Sequence, residues 1–433
     1  MPAFTIRLGR LRRLRQQFRI EPVLVKTFLL GIFLATAAST NAQVRALENP
    51  ASHEKNLPRS SAIDAGDYIY VSGQSAQRSD GTVPADFEAQ ATQSLENIKS
   101  ILTAADLDLK NLIYVQVYLE DVSNYDQLNT VFAKYFPKAP PARAVLGVAK
   151  LPQGSIEITA VALRNLEERK VVIPANYNST EPFSPGIITH DRLFVSAMQG
   201  RDPKSGVVPD DPAAQTDLAL DGVKVVVEAA GLKLANMVFV NPYLTQKIPT
   251  KIMNEHYAQR FEFGNTPARA TIEVSALPHN AQIEYTGVAV RDLSLRRSIR
   301  PKNMPPSPTA SPCVFAGDSL YCSAKSGFIP GPHGGVYAAT TAAQLRQTMR
   351  NQLDNLEEAE MDFSQVVYTT IYLDNLADSE AFHRVYAQYF KPPLPAETLL
   401  QQIPSGARTP DEEGQYPDLE QMSFIAIRPP QKK

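Results

Sequence analysis

The stretch PPARAVLGVAKLPQGSIEITAVAL (140–163) decides how the chain is read, because it is written again as TPARATIEVSALPHNAQIEYTGVAV (266–290). A third, worn version is split into LPAETLLQQIP (394–404) and LEQMSFIAI (419–427). Arg143 and Arg269 stand at matching places, where the third version has Glu397; Glu157 and Glu284 also match, where the third has Gln421. A repeat of this length is the size of a small domain and too long for a solenoid unit. The chain is therefore a domain written three times, with a polar pair kept in two copies and lost in one.

Working outward, the first copy runs over 55–165. SAIDAGDYIYVSGQ (61–74) gives two short strands around the turn pair Gly66-Asp67. Residues 86–105 place Ala91, Leu95, Ile98 and Leu102 at helical spacing. NLIYVQVYL (111–119) reads as a buried strand, and 124–136 as a helix with Tyr125, Leu128, Phe132 and Tyr135 on one face. Strands over 142–150 and 156–163 close the order ββαβαββ. The second copy spans 171–292, with helices near 212–230 and 250–262, and the third spans 310–428, with helices near 338–359 and 377–390. Pro242 interrupts the third strand of copy two, which a strand tolerates at an edge or a bulge. The polar stretch 43–57 and the basic, proline-rich 293–312 read as extended, solvated linkers. Both helices of a unit cover one sheet face, so three sheets would bury their other faces against one another. The fold class expected is α+β, with three units closed into an intramolecular pseudo-trimer and no need of further chains.

Arginines 7, 10, 12, 13, 15 and 19 and Lys26 precede the apolar run TFLLGIFLATAA (27–38), followed by STNAQ. That is the pattern of an export signal over 1–42, and about 12 apolar residues fall short of the roughly 20 of a membrane span. The expected location is periplasmic or secreted, with no stable membrane span after cleavage. A net charge of -2 argues against a nucleic-acid partner. Two cysteines and six histidines without metal-ligand spacing argue against a zinc site. The cysteines, 313 and 322, flank the hairpin turn Gly317-Asp318 at cross-strand positions, where a disulfide is feasible.

The chemistry sits in the repeated polar residues. A guanidinium suits bidentate binding of a planar carboxylate. Glu157 and Glu284 lie 14 and 15 residues after their arginines, read as the adjacent strand, where a carboxylate can orient water or move a proton. The other reading of each pair is a cross-strand salt bridge. Asn129 and Asn254 match on the second helix, where copy three has His383; Ser72-Gly73 matches Ser196-Ala197 and Ser323-Ala324.

The set AGDYIYVSGQ, QATQSLENIKSILTAAD (90–106), NTVFAKYF, PPARAVLGVAKLPQGS and IEITAVAL resembles the RidA/YjgF family of enamine/imine deaminases. The resemblance covers copy one, most of copy two and, faintly, copy three. It implies a chorismate-mutase-like fold, clefts between adjacent units, and hydrolysis of 2-imino acids to 2-oxo acids and ammonia without cofactor or metal. It implies that Arg143 and Arg269 hold the substrate carboxylate and that Glu157 and Glu284 position water. Ser72, Gly73, Asn129, Ser196 and Asn254 would then line the clefts. The family's cleft tyrosine is replaced by Arg59 in copy one and Phe183 in copy two. Activity is expected in copies one and two; in copy three Lys325 reads as a solvated lysine in preference to a substitute charge. The competing reading is a non-catalytic binder of small 2-imino or 2-oxo carboxylates or an assembly module; an endoribonuclease fits the charge less well.

Overall fold

A computed structural model describes residues 44–50, 58–175, 177, 180–302, 304–330 and 335–429. The export signal read in the sequence lies outside the described residues.

The first unit comprises β1 (Arg45–Leu47), β2 (Ala62–Asp64), β3 (Tyr68–Ser75), α1 (Phe87–Thr103), β4 (Leu112–Leu119), α2 (Tyr125–Tyr135), β5 (Ala142–Gly147) and β6 (Ile156–Leu163). The second has β7 (Lys170–Val172), β8 (Gly186–Ile188), β9 (Arg192–Gln199), α3 (Pro212–Ala229), β10 (Met237–Leu244), α4 (Thr250–Ala258), β11 (Ala268–Arg269), β12 (Ile272–Glu273) and β13 (Ile283–Val290). The third has β14 (Arg296–Ile299), β15 (Cys313–Ala316), β16 (Ser319–Ser326), α5 (Thr341–Glu358), β17 (Val366–Leu373), α6 (Ser379–Tyr386), β18 (Ala396–Gln401) and β19 (Glu420–Ile427).

Each unit is one mixed sheet, ordered β1-β2-β3-β6-β4-β5 in the first. The chain reaches β5 from β4 through α2, and β5 lies parallel to β4 at the sheet edge. The last strand, β6, inserts antiparallel between β3 and β4. Strands β5 and β6 therefore flank β4 and are not neighbours, contrary to the expectation that Arg143 and Glu157 lie on adjacent strands. Arg143 is level with Val115 and Glu157 with Tyr118, on opposite sides of β4.

The stretches read as linkers are also corrected. Each unit opens with a short edge strand, β1, β7 or β14, paired with the first hairpin strand. Three or four residues carry too little alternation to read as a strand, yet Leu47, Val172 and Ile299 are buried. Pro242 lies in an interior strand of its sheet. The outer strand breaks into β11 and β12 beside it, at residues 270–271, so the missing N–H coincides with an interrupted ladder.

The helices cover one face of each sheet. Asp86 caps α1 by accepting from the Ala89 N–H, and Ala91, Leu95, Ile98 and Leu102 are wholly buried against Val71, Val115 and Ile158. Burying each such leucine or isoleucine stabilises the unit by about 1.5–3 kcal/mol. The opposite faces meet at the centre: Tyr118, Tyr243 and Tyr372, one from each unit, belong to one buried cluster. Aromatic rings from all three units enclose a central cavity of about 100 Å³.

Three equivalent joints close the ring. The Ser196 hydroxyl accepts the Arg143 backbone N–H at 2.8 Å, Ser323 accepts that of Arg269 at 2.8 Å, and Ser72 accepts that of Glu397 at 2.8 Å. Each hydroxyl donates in turn to a carbonyl of its own unit at 2.6 Å: Ser184, Ser311 and Ser60. The edge strand of one unit is thus sewn to the second hairpin strand of the next. Cys313 and Cys322 face each other in the β15–β16 hairpin and are bonded, with Cα atoms 4.0 Å apart.

Candidate functional site

Because the joints run from edge strand to hairpin, each cleft takes its arginine position from one unit and its glutamate position from the next. The first joint brings Arg143 of β5 to Glu284 of β13; both line one cleft of about 890 Å³. At the second joint Arg269 meets the third unit, where Gln421 holds the place of Glu284, level with Ser326 as Glu284 is level with Gln199. At the third joint Glu397 meets the first unit and interacts with Glu157. Two arginines and two glutamates in the sequence make one complete pair, not two, and it joins different copies.

In the first joint the Arg143 guanidinium is nearly sequestered, at 2 % exposure. Its Nη2 donates to Asn129 Oδ1 at 2.6 Å and to the Tyr125 hydroxyl at 3.3 Å. The rings of Phe132 and Phe183 lie 4.8 and 5.3 Å from its centre. Its Nη1 is buried and has no hydrogen-bond partner among the described residues. Burial lowers the arginine's pKa, opposed by the Tyr125 and Glu181 side chains. Phe183, at the family's tyrosine position, packs on the guanidinium from the second unit.

Glu284 is wholly buried. Burial pushes its carboxyl up to about 8, against the pull of the Gln199 hydrogen bond and the Arg143 charge. Gln199 Nε2 donates to Glu284 Oε2 at 3.2 Å, and Oε1 has no hydrogen-bond partner among the described residues. A relay continues from there. His279 Nδ1 lies 3.0 Å from Gln199 Oε1, its Nε2 lies 2.8 Å from Glu181 Oε1, and Tyr125 donates to Glu181 Oε2 at 3.0 Å. Burial disfavours the Glu181 carboxylate, yet contacts from His279, Tyr125 and Arg143 hold its pKa below the usual value. The relay starts beside the arginine and ends on the glutamate, fixing both.

Glu181, His279, Gln199 and Tyr125 were missed as site residues. His279 replaces Gln153 in the repeated LP turn, and with φ of 60° it sits in the left-handed region, which few non-glycine residues adopt and histidine tolerates better than most. That substitution was the available signal.

The remaining expected residues have other places. Ser72 and Ser196 are wholly buried and their hydroxyls are spent on the joints, so they fasten units and do not reach a ligand. A Cβ on Gly73 would collide with the Glu157 carboxylate, so this glycine makes room for a side chain of its own unit. Asn254 holds Arg269 Nη1 at 2.8 Å, as Asn129 holds Arg143. At the third joint Glu397 is 2.9 Å from His383 Nε2 and 3.8 Å from Arg59 Nη1. Burial and then Glu397 raise the Glu157 carboxyl to about 7, with Arg59 opposing. Lys325 is half-buried, and desolvation lowers its pKa.

Comparison with known proteins agrees with this architecture. The chain is 40% identical over 110 residues to a RutC family protein of Pyrococcus horikoshii, covering 25% of this chain and 87% of that protein. It is 37% identical over 112 residues to the 2-iminobutanoate/2-iminopropanoate deaminase of Escherichia coli K12, covering 25% and 88%. Among solved structures, E. coli TdcF with bound serine aligns at 31% identity over 28% of this chain and 99% of that one, with a TM-score of 0.27. The Endoribonuclease L-PSP family profile matches three segments, 52–164, 174–291 and 304–403. The chain therefore belongs to the Endoribonuclease L-PSP family, also known as RidA/YjgF, and carries its domain three times.

Proposed function

We propose that the joint between the first and second units hydrolyses 2-imino acids, with their enamine tautomers, to 2-oxo acids and ammonia. The observation that carries this is the pair of unspent atoms at one cleft: Arg143 Nη1 and Glu284 Oε1 have no hydrogen-bond partner among the described residues. Arg143 takes the substrate carboxylate through a charge-assisted hydrogen bond. Glu284 accepts a proton from water as the water oxygen bonds to the imine carbon. Glu284 returns that proton to the nitrogen, giving a carbinolamine. The hydroxyl proton is then passed by way of Glu284 to the amino group as the C–N bond breaks, so that the 2-oxo acid and ammonia leave and the carboxylate is restored. A carboxyl raised to about 8 is matched to such exchange near neutral pH. The deaminase relative supports this reaction class. Export, as the leader suggests, is part of the same proposal, and the Cys313–Cys322 bond suits an oxidising compartment.

Ammonia release from freshly generated 2-iminopropanoate tests the reading. Turnover above the spontaneous rate, lost in Arg143→Ala, is expected. Binding of pyruvate without any acceleration of imine hydrolysis would overturn catalysis and leave a carboxylate-binding protein. Cell fractionation tests export: the mature chain is expected outside the cytoplasm, and retention inside would refute that part.

A further inference from the structure

The first cleft is much larger than a three- or four-carbon imino acid requires. Its 890 Å³ lies in the upper part of the roughly 300–1,000 Å³ typical of pockets for drug-sized ligands. Comparison of the three copies shows why. Gln90, Gln215 and Gln344 mark one position on the first helix of each unit, since each accepts a backbone N–H ahead of the last strand: Ser155, Gln282 and Leu419. Three and seven residues further on, copy one has Gln93 and Asn97, and copy three has Gln347 and Asn351. In both, the glutamine donates to the asparagine, at 2.9 and 2.8 Å. The asparagine then donates twice to the loop after the second hairpin strand: Asn97 to the carbonyls of Ser75 and Gln77, Asn351 to those of Ser326 and Phe328. This is a polar latch drawing loop onto helix.

Copy two has Leu218 and Gly222 at those two positions, and the latch is gone. Both line the cleft, with Val225 one turn beyond and Met198 opposite. A Cβ on Gly222 would come within 3.0 Å of Met198, so the glycine also lets helix and strand approach. Val225 is 48 % exposed, an apolar residue left facing the opening. The result is an apolar floor that continues from the Arg143–Glu284 end of the same cleft.

We infer that this floor seats a large apolar side chain, so that the site selects 2-imino and 2-oxo acids with aromatic or branched aliphatic substituents over those with a methyl group. The inference rests on the proposed function for the identity of the polar end. The carboxylate is held at Arg143, the reacting carbon faces Glu284, and the substituent runs along α3 over Leu218, Gly222 and Val225.

Calorimetric binding of phenylpyruvate and pyruvate to the full chain tests it without requiring turnover. Phenylpyruvate is expected to bind at least about tenfold more tightly, since even one methylene in an apolar pocket discriminates by roughly 10–200-fold. Restoring the latch with Leu218→Gln and Gly222→Asn together should bring the affinity ratio close to one. Val225→Ser, a milder change on an exposed helix position, should lower the ratio partway. Equal affinities in the wild type, no binding of phenylpyruvate, or a ratio untouched by both variants would each overturn the pocket. The two readings fail separately. Selective phenylpyruvate binding with no imine hydrolysis removes the deaminase and keeps the pocket. Hydrolysis of 2-iminopropanoate with no preference for larger substrates does the reverse.

Discussion

Substituting the two arginines and the two glutamates one at a time separates an inter-unit site from two intra-unit sites. Arg143→Ala removes the guanidinium that, under the proposed function, would bind the substrate carboxylate through Nη1. A hydrogen bond to a charged group contributes about 1.5–3 kcal/mol, which converts to a loss of roughly 10–150-fold in kcat/KM. Arg143→Lys keeps the charge but cannot reproduce the fork held by Asn129 and Tyr125, and should fall between. Glu284→Gln keeps the shape and removes the proton acceptor, for which about 100- to 10,000-fold in kcat is typical. Arg269→Ala and Glu157→Gln should leave kcat/KM close to wild type. Arg269 faces a unit with Gln421 in the glutamate's place, and Glu157 faces Glu397. The assay is continuous ammonia release from 2-iminopropanoate, with thermal melts to show that each variant is folded. A loss in Glu157→Gln as large as in Glu284→Gln would refute the inter-unit assignment. So would equal losses in the two arginine variants.

Three further outcomes follow from the geometry. With the Glu284 carboxyl raised to about 8, kcat/KM should climb as pH rises toward that value, and this limb should vanish in Glu284→Gln; a pH profile shared by both proteins would mean another group titrates. Ser72→Ala and Ser323→Ala each strand a buried N–H and a carbonyl at a joint and should cost about 1–3 kcal/mol in denaturant unfolding, while unchanged midpoints would show the joints held by packing alone. Replacing Cys313 and Cys322 with serine opens a short closed loop and should lower stability by about 2–3 kcal/mol, and about two titratable thiols in unreduced, denatured wild type would refute the bridge.

Much of this fold is legible in the sequence because repetition supplies its own check. A helix pattern such as Ala91, Leu95, Ile98, Leu102 gains weight when a helix is expected at the same offset in two other copies. The cysteine pairing followed from counting outward from the Gly317-Asp318 turn, and the strand register agrees with that count. What stayed hidden was set by tertiary neighbours. The opening strands of each unit rest on a single buried residue apiece, too little for periodicity to register. Arg143 and Glu157 looked like partners because 14 residues separate them, whereas sheet order places β4 between them and hands each to a different unit. The relay from Tyr125 to Glu284 draws on both units, and no local pattern could have assembled it.

A symmetric homotrimer repeats any change at all three of its joints; one chain with three copies can alter them separately. Each unit offers an arginine position to the unit after it and a glutamate position to the unit before it. The third unit has lost both, through Glu397 and Gln421, so wear in one copy leaves the two joints that it touches without an Arg–Glu pair. The joint it does not touch keeps its pair, its relay and its opened floor. Arg269 and Glu157 are then survivors without partners of the right kind. Arg269 is retained in a structural setting, bonded to Asn254 and 5.1 Å from the Tyr257 ring. The third joint has been rebuilt around Glu397, 1 % exposed, which has the His383 ring and the Arg59 guanidinium beside it. Burying a carboxylate that deeply is costly without such partners. Removing His383 should therefore destabilise the chain and leave turnover at the first joint intact, and Glu397→Arg alone should not create a second active site, because it would return an arginine to the joint without the relay that holds Glu284.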